Sequence, residues 1–180
     1  MFRQFSPVNT SYKNILQQIK ENNITEVDLS HQPLSLKQMD ELCNALINNT
    51  SVTKLLLNNC KIDDDCLEKL VNALVDPTLF TTKKNTYQVI HPEVTKLTLT
   101  NSSNGNKTLT SLSLRQNNFS DKVLESIQTL LLGNHTLTNL NLSDNSFSPS
   151  MLMKLKSVKA FNEGLINYFI DIPRQCPKQF

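Results

Sequence analysis

The sequence predicts an α/β solenoid, a segment of a right-handed horseshoe with a parallel sheet on its concave side and helices on its convex side. Three observations predict it. The pattern L-x-x-L-x-L-x-x-N/C-x-L is met four times, from Ile24, Val52, Leu109 and Leu137. The first two starts lie 28 positions apart, and so do the last two. Each pattern is followed by apolar residues at helical spacing, headed by a capping residue. A unit of that size cannot bury its apolar face alone, so the units must stack.

The elements follow in order. Tyr12, Ile15, Leu16 and Ile19 mark a helix over 10–21 that covers the first unit. Each L-x-x-L-x-L segment is a short strand whose alternate residues point inward. The Asn/Cys position, held by Gln32, Cys60, Asn117 and Asn145, is placed to bond the backbone of the turn that leaves the strand. Ser35, Asp63 and Ser120 cap the helices that come next. Their inward faces carry Leu36, Met39, Leu42, Cys43, Leu46 and Ile47 in the first helix, and Cys66, Leu67, Leu70, Val71 and Leu74 in the second. Val123, Leu124, Ile127, Leu130 and Leu131 serve the third, with Gly133 as its stop. Ser148 and Pro149 open a last helix. The segment 165–172 has strand character and is expected to close the sheet, and Pro173 and Pro177 break the tail.

The middle breaks the rule. Val94-Thr-Lys-Leu97-Thr-Leu99 fits the strand template, but it starts 42 positions after Val52 and 15 before Leu109. One reading makes it the strand of an extra repeat, with the loop 76–92 bulging from the convex side. The other pairs 93–100 with 107–114 as an antiparallel hairpin through Asn104-Gly105. The kept phase of the template favours the first. The expected organisation is a capping helix over 1–22, repeats over 23–158 that are irregular at 76–108, and a C-terminal cap and tail over 159–180.

With 18 basic and 16 acidic residues and a net charge of +2, the chain has no expected attraction to nucleic acid or to a membrane surface. No apolar run is long enough to span a bilayer, and the N-terminus lacks the pattern of a signal peptide. The four cysteines, Cys43, Cys60, Cys66 and Cys176, form no C-x-x-C pair and read as free thiols in a reducing compartment.

Catalytic and metal motifs are poor. There is no phosphate-binding loop, dinucleotide fingerprint, H-E-x-x-H or G-x-S-x-G. His31 and Cys60 lie one repeat apart, and the reading preferred for them is a loop histidine beside a structural cysteine. Asp63-Asp64-Asp65 lacks the alternating spacing of a calcium loop and suits a helix N-terminus. Asn49, Asn101, Asn118 and Asn134 head glycosylation-type triplets, which carry little meaning in a chain so rich in asparagine. No catalytic residue, metal ligand or cofactor is expected.

The informative residues are those that the strands turn to the concave side. They form three columns: Glu26, Lys54, Lys96, Ser111, Asn139; then Asp28, Leu56, Thr98, Ser113, Asn141; then Ser30, Asn58, Thr100, Arg115, Ser143. A threonine stands before the first column in every unit, at Thr25, Thr53, Thr95, Thr110 and Thr138. Candidate partner-binding residues are Glu26, Asp28, Lys54, Leu56, Lys96 and Arg115 on this face, with Phe80 and Tyr87 in the loop 76–92, beside Lys83, Lys84 and His91.

Over 24–158 the repeats resemble the ribonuclease-inhibitor-like class of leucine-rich repeats. The phrases Asn-Asn-Thr-Ser-Val-Thr-Lys-Leu and Gly-Asn-His-Thr-Leu-Thr-Asn-Leu-Asn-Leu-Ser-Asp-Asn, with the lysine- and asparagine-heavy composition, look like those of short leucine-rich-repeat effectors of intracellular bacterial pathogens. That resemblance implies a non-enzymatic module that binds a host protein and is delivered into the host cell by a specialised secretion system; a monomer is the expected state, which the sequence does not itself fix. The ligase-bearing branch of such effectors carries a large C-terminal catalytic domain with a nucleophilic cysteine. About thirty residues follow the last repeat here, so Cys176 does not inherit that role. The alternative is a scaffold or substrate-recognition fragment whose catalytic domain lies outside this chain.

Overall fold

The computed structural model describes residues 11–75 and 105–161. Helix α1 (Tyr12–Lys20) leads into strand β1 (Glu26–Asp28), helix α2 (Leu36–Ile47), strand β2 (Lys54–Leu56) and helix α3 (Asp64–Leu74). Strand β3 (Ser111–Ser113) follows, then a 3-10 turn at Asp121–Val123, helix α4 (Leu124–Gly133), strand β4 (Asn139–Asn141) and helix α5 (Pro149–Phe161). The four strands form one parallel sheet in the order of the chain. Val27, Leu55, Leu112 and Leu140 point from the strand centres into the core, each at most 1% exposed, while their neighbours along the strand face outward. The fold is the expected α/β leucine-rich-repeat solenoid.

One core runs the length of the stack, from Leu16 and Ile19 of α1 to Met151 and Leu155 of α5. Its strand side is built almost wholly of leucine, and its helix side includes Met39, Cys43, Cys66, Val71 and Ile127. Leu36 departs from its expected inward place: it is the first residue of α2 and is 52% exposed.

The irregular middle is corrected by the register of the sheet. Lys54, Leu55 and Leu56 pair directly with Ser111, Leu112 and Ser113. No extra strand therefore lies between β2 and β3. The hairpin reading fails as well at 111–113, because β3 has parallel partners on both edges. Residues 94–99 themselves lie outside the described residues, as do 165–172. The interval from Val52 to Leu109 is 57 positions, which exceeds the usual 28 by 29, the length of 76–104. Residues 105–108 belong to the regular turn into β3, so the break is confined to 76–104.

Two asparagine ladders explain why the turns superpose. In the turns that leave the strands, Asn117 Oδ1 accepts from Cys60 N and Ile62 N at 3.0 and 3.1 Å, while Nδ2 donates to Leu57 O and Leu114 O at 2.8 and 3.0 Å. Asn145 repeats this one unit on, accepting from Asn117 N at 3.0 Å and donating to Leu114 O and Leu142 O at 3.1 and 2.9 Å. Cys60 fills the same place with a thiol that donates to Leu29 O at 3.1 Å, and Gln32 at the first unit is exposed.

The second ladder lies in the turns that enter the strands. Asn49, Asn106 and Asn134 are 4%, 3% and 3% exposed. Each Oδ1 accepts two backbone N–H groups of its own turn: Ser51 and Val52, Thr108 and Leu109, Thr136 and Leu137. Each Nδ2 donates to a carbonyl at the end of the helix one unit before its own: Ile19 O at 2.6 Å, Leu46 O at 2.7 Å and Leu74 O at 2.8 Å. Ile19 O and Leu46 O also take a backbone N–H from the turn that ends their own helix, so the ladder adds a second bond there that ties each helix end to the next unit. The hydroxyls of Ser51, Thr108 and Thr136 donate to Ile24 O, Val52 O and Leu109 O. Asn49 and Asn134, met in the sequence as glycosylation-type triplets, are thus buried structural side chains.

The helix caps are shared between units too. Ser35 caps α2 in a reciprocal capping box with Gln38, and Asp63 caps α3 through Cys66 N at 3.0 Å. Asp64, next to that cap, accepts from both Ser120 N and Ser120 Oγ of the following unit at 2.9 and 2.6 Å. Asp121 does the same for Ser148. The Asp63-Asp64-Asp65 run is therefore a cap, an inter-repeat acceptor and one exposed carboxylate. Gly133 is the last residue of α4, and the next residue, Asn134, has φ −111°, so no left-handed glycine ends that helix.

Candidate partner-binding face

The strand residues that point away from the core build the concave face. Parallel register puts Glu26, Lys54, Ser111 and Asn139 in one row and Asp28, Leu56, Ser113 and Asn141 in the next. This corrects the columns: Lys96, Thr98 and Thr100 have no place between β2 and β3. Lys96, Phe80 and Tyr87 lie outside the described residues. Of the remaining candidates, Glu26, Asp28, Lys54 and Leu56 sit together on β1 and β2, and Arg115 stands just past β3.

The threonine before the first column has a structural task. Thr53, Thr110 and Thr138 donate their hydroxyls to Thr25 O, Thr53 O and Thr110 O at 3.2, 3.0 and 3.1 Å, tying each strand to the one before. The polar side chains of the face are also linked. Lys54 Nζ is 3.2 Å from Glu26 Oε2, with side chains 41% and 67% exposed, so the pair is screened and contributes at most about 1 kcal/mol. Ser113 Oγ donates to Asn58 Oδ1 at 2.6 Å, and Asn58 Nδ2 donates to Ser30 Oγ at 3.2 Å. Arg115 Nε is 2.6 Å from Asp144 Oδ2. Asn58 and Asp144 were not among the sequence candidates. The period had placed Asn58 in the third column without singling it out, and the Asp144 pairing depends on which way the Arg115 side chain leans.

Asp28 and Leu56 are different. They are direct neighbours across β1 and β2. Asp28 is exposed and accepts one bond, from Ser30 N at 2.9 Å, through Oδ1. Leu56 is half-buried, the one large apolar side chain on the described sheet face.

At the strand exits, His31, Asn59, Gln116 and Asp144 all have positive φ, between 51° and 64°, so the left-handed turn is a property of the repeat. His31 Nδ1 lies 3.3 Å from Asn59 Nδ2, and the Cys60 thiol donates to Leu29 O, so no His31–Cys60 nucleophile pair forms. Cys43, Cys60 and Cys66 are free and buried. Burial pushes the Cys43 thiol up to about 12 and the Cys66 thiol up to about 11, and it raises Cys60 as well. Thiols held protonated this way are poor nucleophiles at neutral pH. Cys176 lies outside the described residues. No cluster of metal-ligating side chains occurs among the described residues.

Three stretches, 48–71, 105–127 and 133–155, match the family model described as Leucine Rich repeat. No curated protein matches the chain. Among solved structures, the chain is similar to leiomodin-1 actin-binding site 2, with 22% identity and a TM-score of 0.65 over 89% of this chain and 80% of that one. It is also similar to the tropomodulin C-terminal domain of Caenorhabditis elegans, with 14% identity and a TM-score of 0.59 over 88% of this chain and 81% of that one. At these identities the likeness is one of fold.

Proposed function

We propose that this leucine-rich-repeat solenoid is a non-enzymatic module that binds a protein partner through its concave sheet. The observation that carries this reading is the division of labour within each strand. Core residues and asparagine and threonine ladders fix the backbone, and Glu26, Asp28, Lys54, Leu56 and Arg115 are held outside the core on the concave face, where their only polar bonds are surface ones. Rigid placement lowers the ordering cost of binding. The leiomodin-1 structure that the chain resembles is an actin-binding site, which supports a protein as the class of partner.

The finer reading makes the chain a secreted virulence effector of an intracellular bacterium, delivered into the host cell, with a host protein as its partner. The phrases at 48–55 and 133–145 and the abundance of lysine and asparagine support it. Both levels are tested together by proximity labelling from the tagged chain in host cells, alongside a triple variant, Lys54→Glu, Leu56→Ala, Arg115→Glu. A host protein labelled by the native chain and lost with the variant is the expected result. Unchanged labelling with the variant excludes the concave face, and an absence of any selectively labelled host protein excludes the effector reading.

A further inference from the structure

We infer that the concave face recognises its partner at Asp28 and Leu56, through a segment that presents a Lys or Arg beside an aliphatic side chain. The inference rests on the protein-binding reading and narrows it to a class of ligand. Elsewhere on the described face the charged groups are paired, Glu26 with Lys54 and Arg115 with Asp144, and Asn58 and Asn141 are bonded to neighbouring serines. A charged partner group brought to either pair would compete with an opposite charge already in place.

Asp28 is the carboxylate of the described strands that has no cationic partner. Its one bond, from Ser30 N, occupies Oδ1, and Oδ2 accepts nothing. Leu56 lies one strand away, about 5 Å across the sheet, and is the one large aliphatic side chain on that face. Glu26 adds a second carboxylate two residues before Asp28 on the same strand face, and Lys54 offsets one of the two charges. The surface that results is net negative and half apolar. Its complement is a cation, ideally a guanidinium that can take Asp28 from the side, next to Leu, Ile or Val that covers Leu56. An acidic or purely polar segment would leave Leu56 wet and meet Asp28 with like charge.

The test uses the full chain as bait for a phage-displayed library of random 12-residue peptides, run in parallel on Asp28→Asn and Leu56→Ala variants. Both positions lie outside the core, so the variants fold, which circular dichroism checks. The native chain is expected to enrich peptides with Lys or Arg within two positions of Leu, Ile or Val. A synthetic peptide of the enriched sequence should lose about tenfold in affinity to either variant, with the loss for Asp28→Asn shrinking at high salt. Enriched peptides that lack a basic residue, or that bind both variants as tightly as the native chain, overturn the inference and leave protein binding by this fold standing. No enrichment at all also overturns it, and the labelling experiment above then decides the wider reading separately.

Discussion

Asn106 and Asn134 each join two backbone N–H groups of their own turn to a carbonyl of an earlier helix, at 3% exposure. Truncating either leaves donors and acceptors buried without partners, each costing about 1–3 kcal/mol. Asn134→Ala is expected to destabilise the fold by roughly 3 kcal/mol in urea unfolding, where Asn118→Ala, at an exposed position, changes it by less than about 0.5 kcal/mol. Equal effects of the two substitutions would show that the buried amide is not a structural tie. Lys61 makes a different point. It has φ 57°, whereas no residue at the matching turn position of the other units has positive φ. A lysine there carries the left-handed cost of roughly 1 kcal/mol that glycine avoids. Lys61→Gly should therefore leave stability unchanged or raise it, against the usual penalty for glycine, and Lys61→Val should lower it. A clear drop in melting temperature for Lys61→Gly would contradict this.

Among the elements, the helix N-termini follow a rule across units. Asp64 and Asp121 accept from the N–H and hydroxyl of the next unit's serine cap, Ser120 and Ser148. The corresponding residue in the first unit is Leu36, and the cap that follows it is Asp63, which offers no hydroxyl to donate. An aspartate at 36 would face a carboxylate. The single substitution Leu36→Asp is expected to destabilise, and Asp63→Ser alone to change little. The double variant should recover at least about 1 kcal/mol through the restored relay. Additive effects in that cycle would remove the relay from the account. The bond also holds the Asp121 carboxyl below its ordinary 3.8, first through the Ser148 hydroxyl, so acidification below the usual carboxylate range weakens this tie only as pH falls through the lowered value.

For the whole molecule, the three most strongly raised groups lie in the first two helical layers and their N-terminal cover. Cys43 goes from an ordinary 9.0 to about 12 and Cys66 from 9.0 to about 11, both first by burial, and Tyr12 from 10.0 to about 12 for the same reason, with Glu41 adding to it. Raised in the folded chain, these groups contribute stability that is fully present below their unfolded values near 9 and 10 and is lost as pH climbs through 11 to 12. Thermal stability should fall across that window, and Cys43→Ala should flatten the fall while lowering stability at neutral pH. An unchanged pH profile for that variant would remove the thiol as a cause. The break at 76–104 can be tested on the same scale. Leu74-Val75 followed directly by Gly105-Asn106 reproduces Leu46-Ile47-Asn48-Asn49 of the earlier unit. Joining Val75 to Gly105 should keep cooperative unfolding and the far-ultraviolet spectrum of a regular stack, and loss of cooperativity would show that the stack needs the intervening segment.

The order of strands and helices, the inward leucines, the serine and aspartate caps and the threonine ladder were legible in the sequence, because the repeat samples the same local rules at fixed spacing. Local templates could not decide Val94–Leu99, which carries the right pattern. Whether it joins the sheet at β2 or β3 depends on edges that Lys54–Leu56 and Ser111–Ser113 have already given to each other. The period likewise placed Asp28 and Leu56 one strand apart on the concave side. That the neighbouring charged groups pair with one another and leave Asp28 without a cationic partner was settled only by side-chain contacts between units, at separations of 28 residues and more. Sequence alone determined the repeat and its core, since burial of a periodic apolar face requires stacking. Tertiary structure decided which strands meet and which surface groups remain uncommitted, since both depend on what neighbouring units have already bonded.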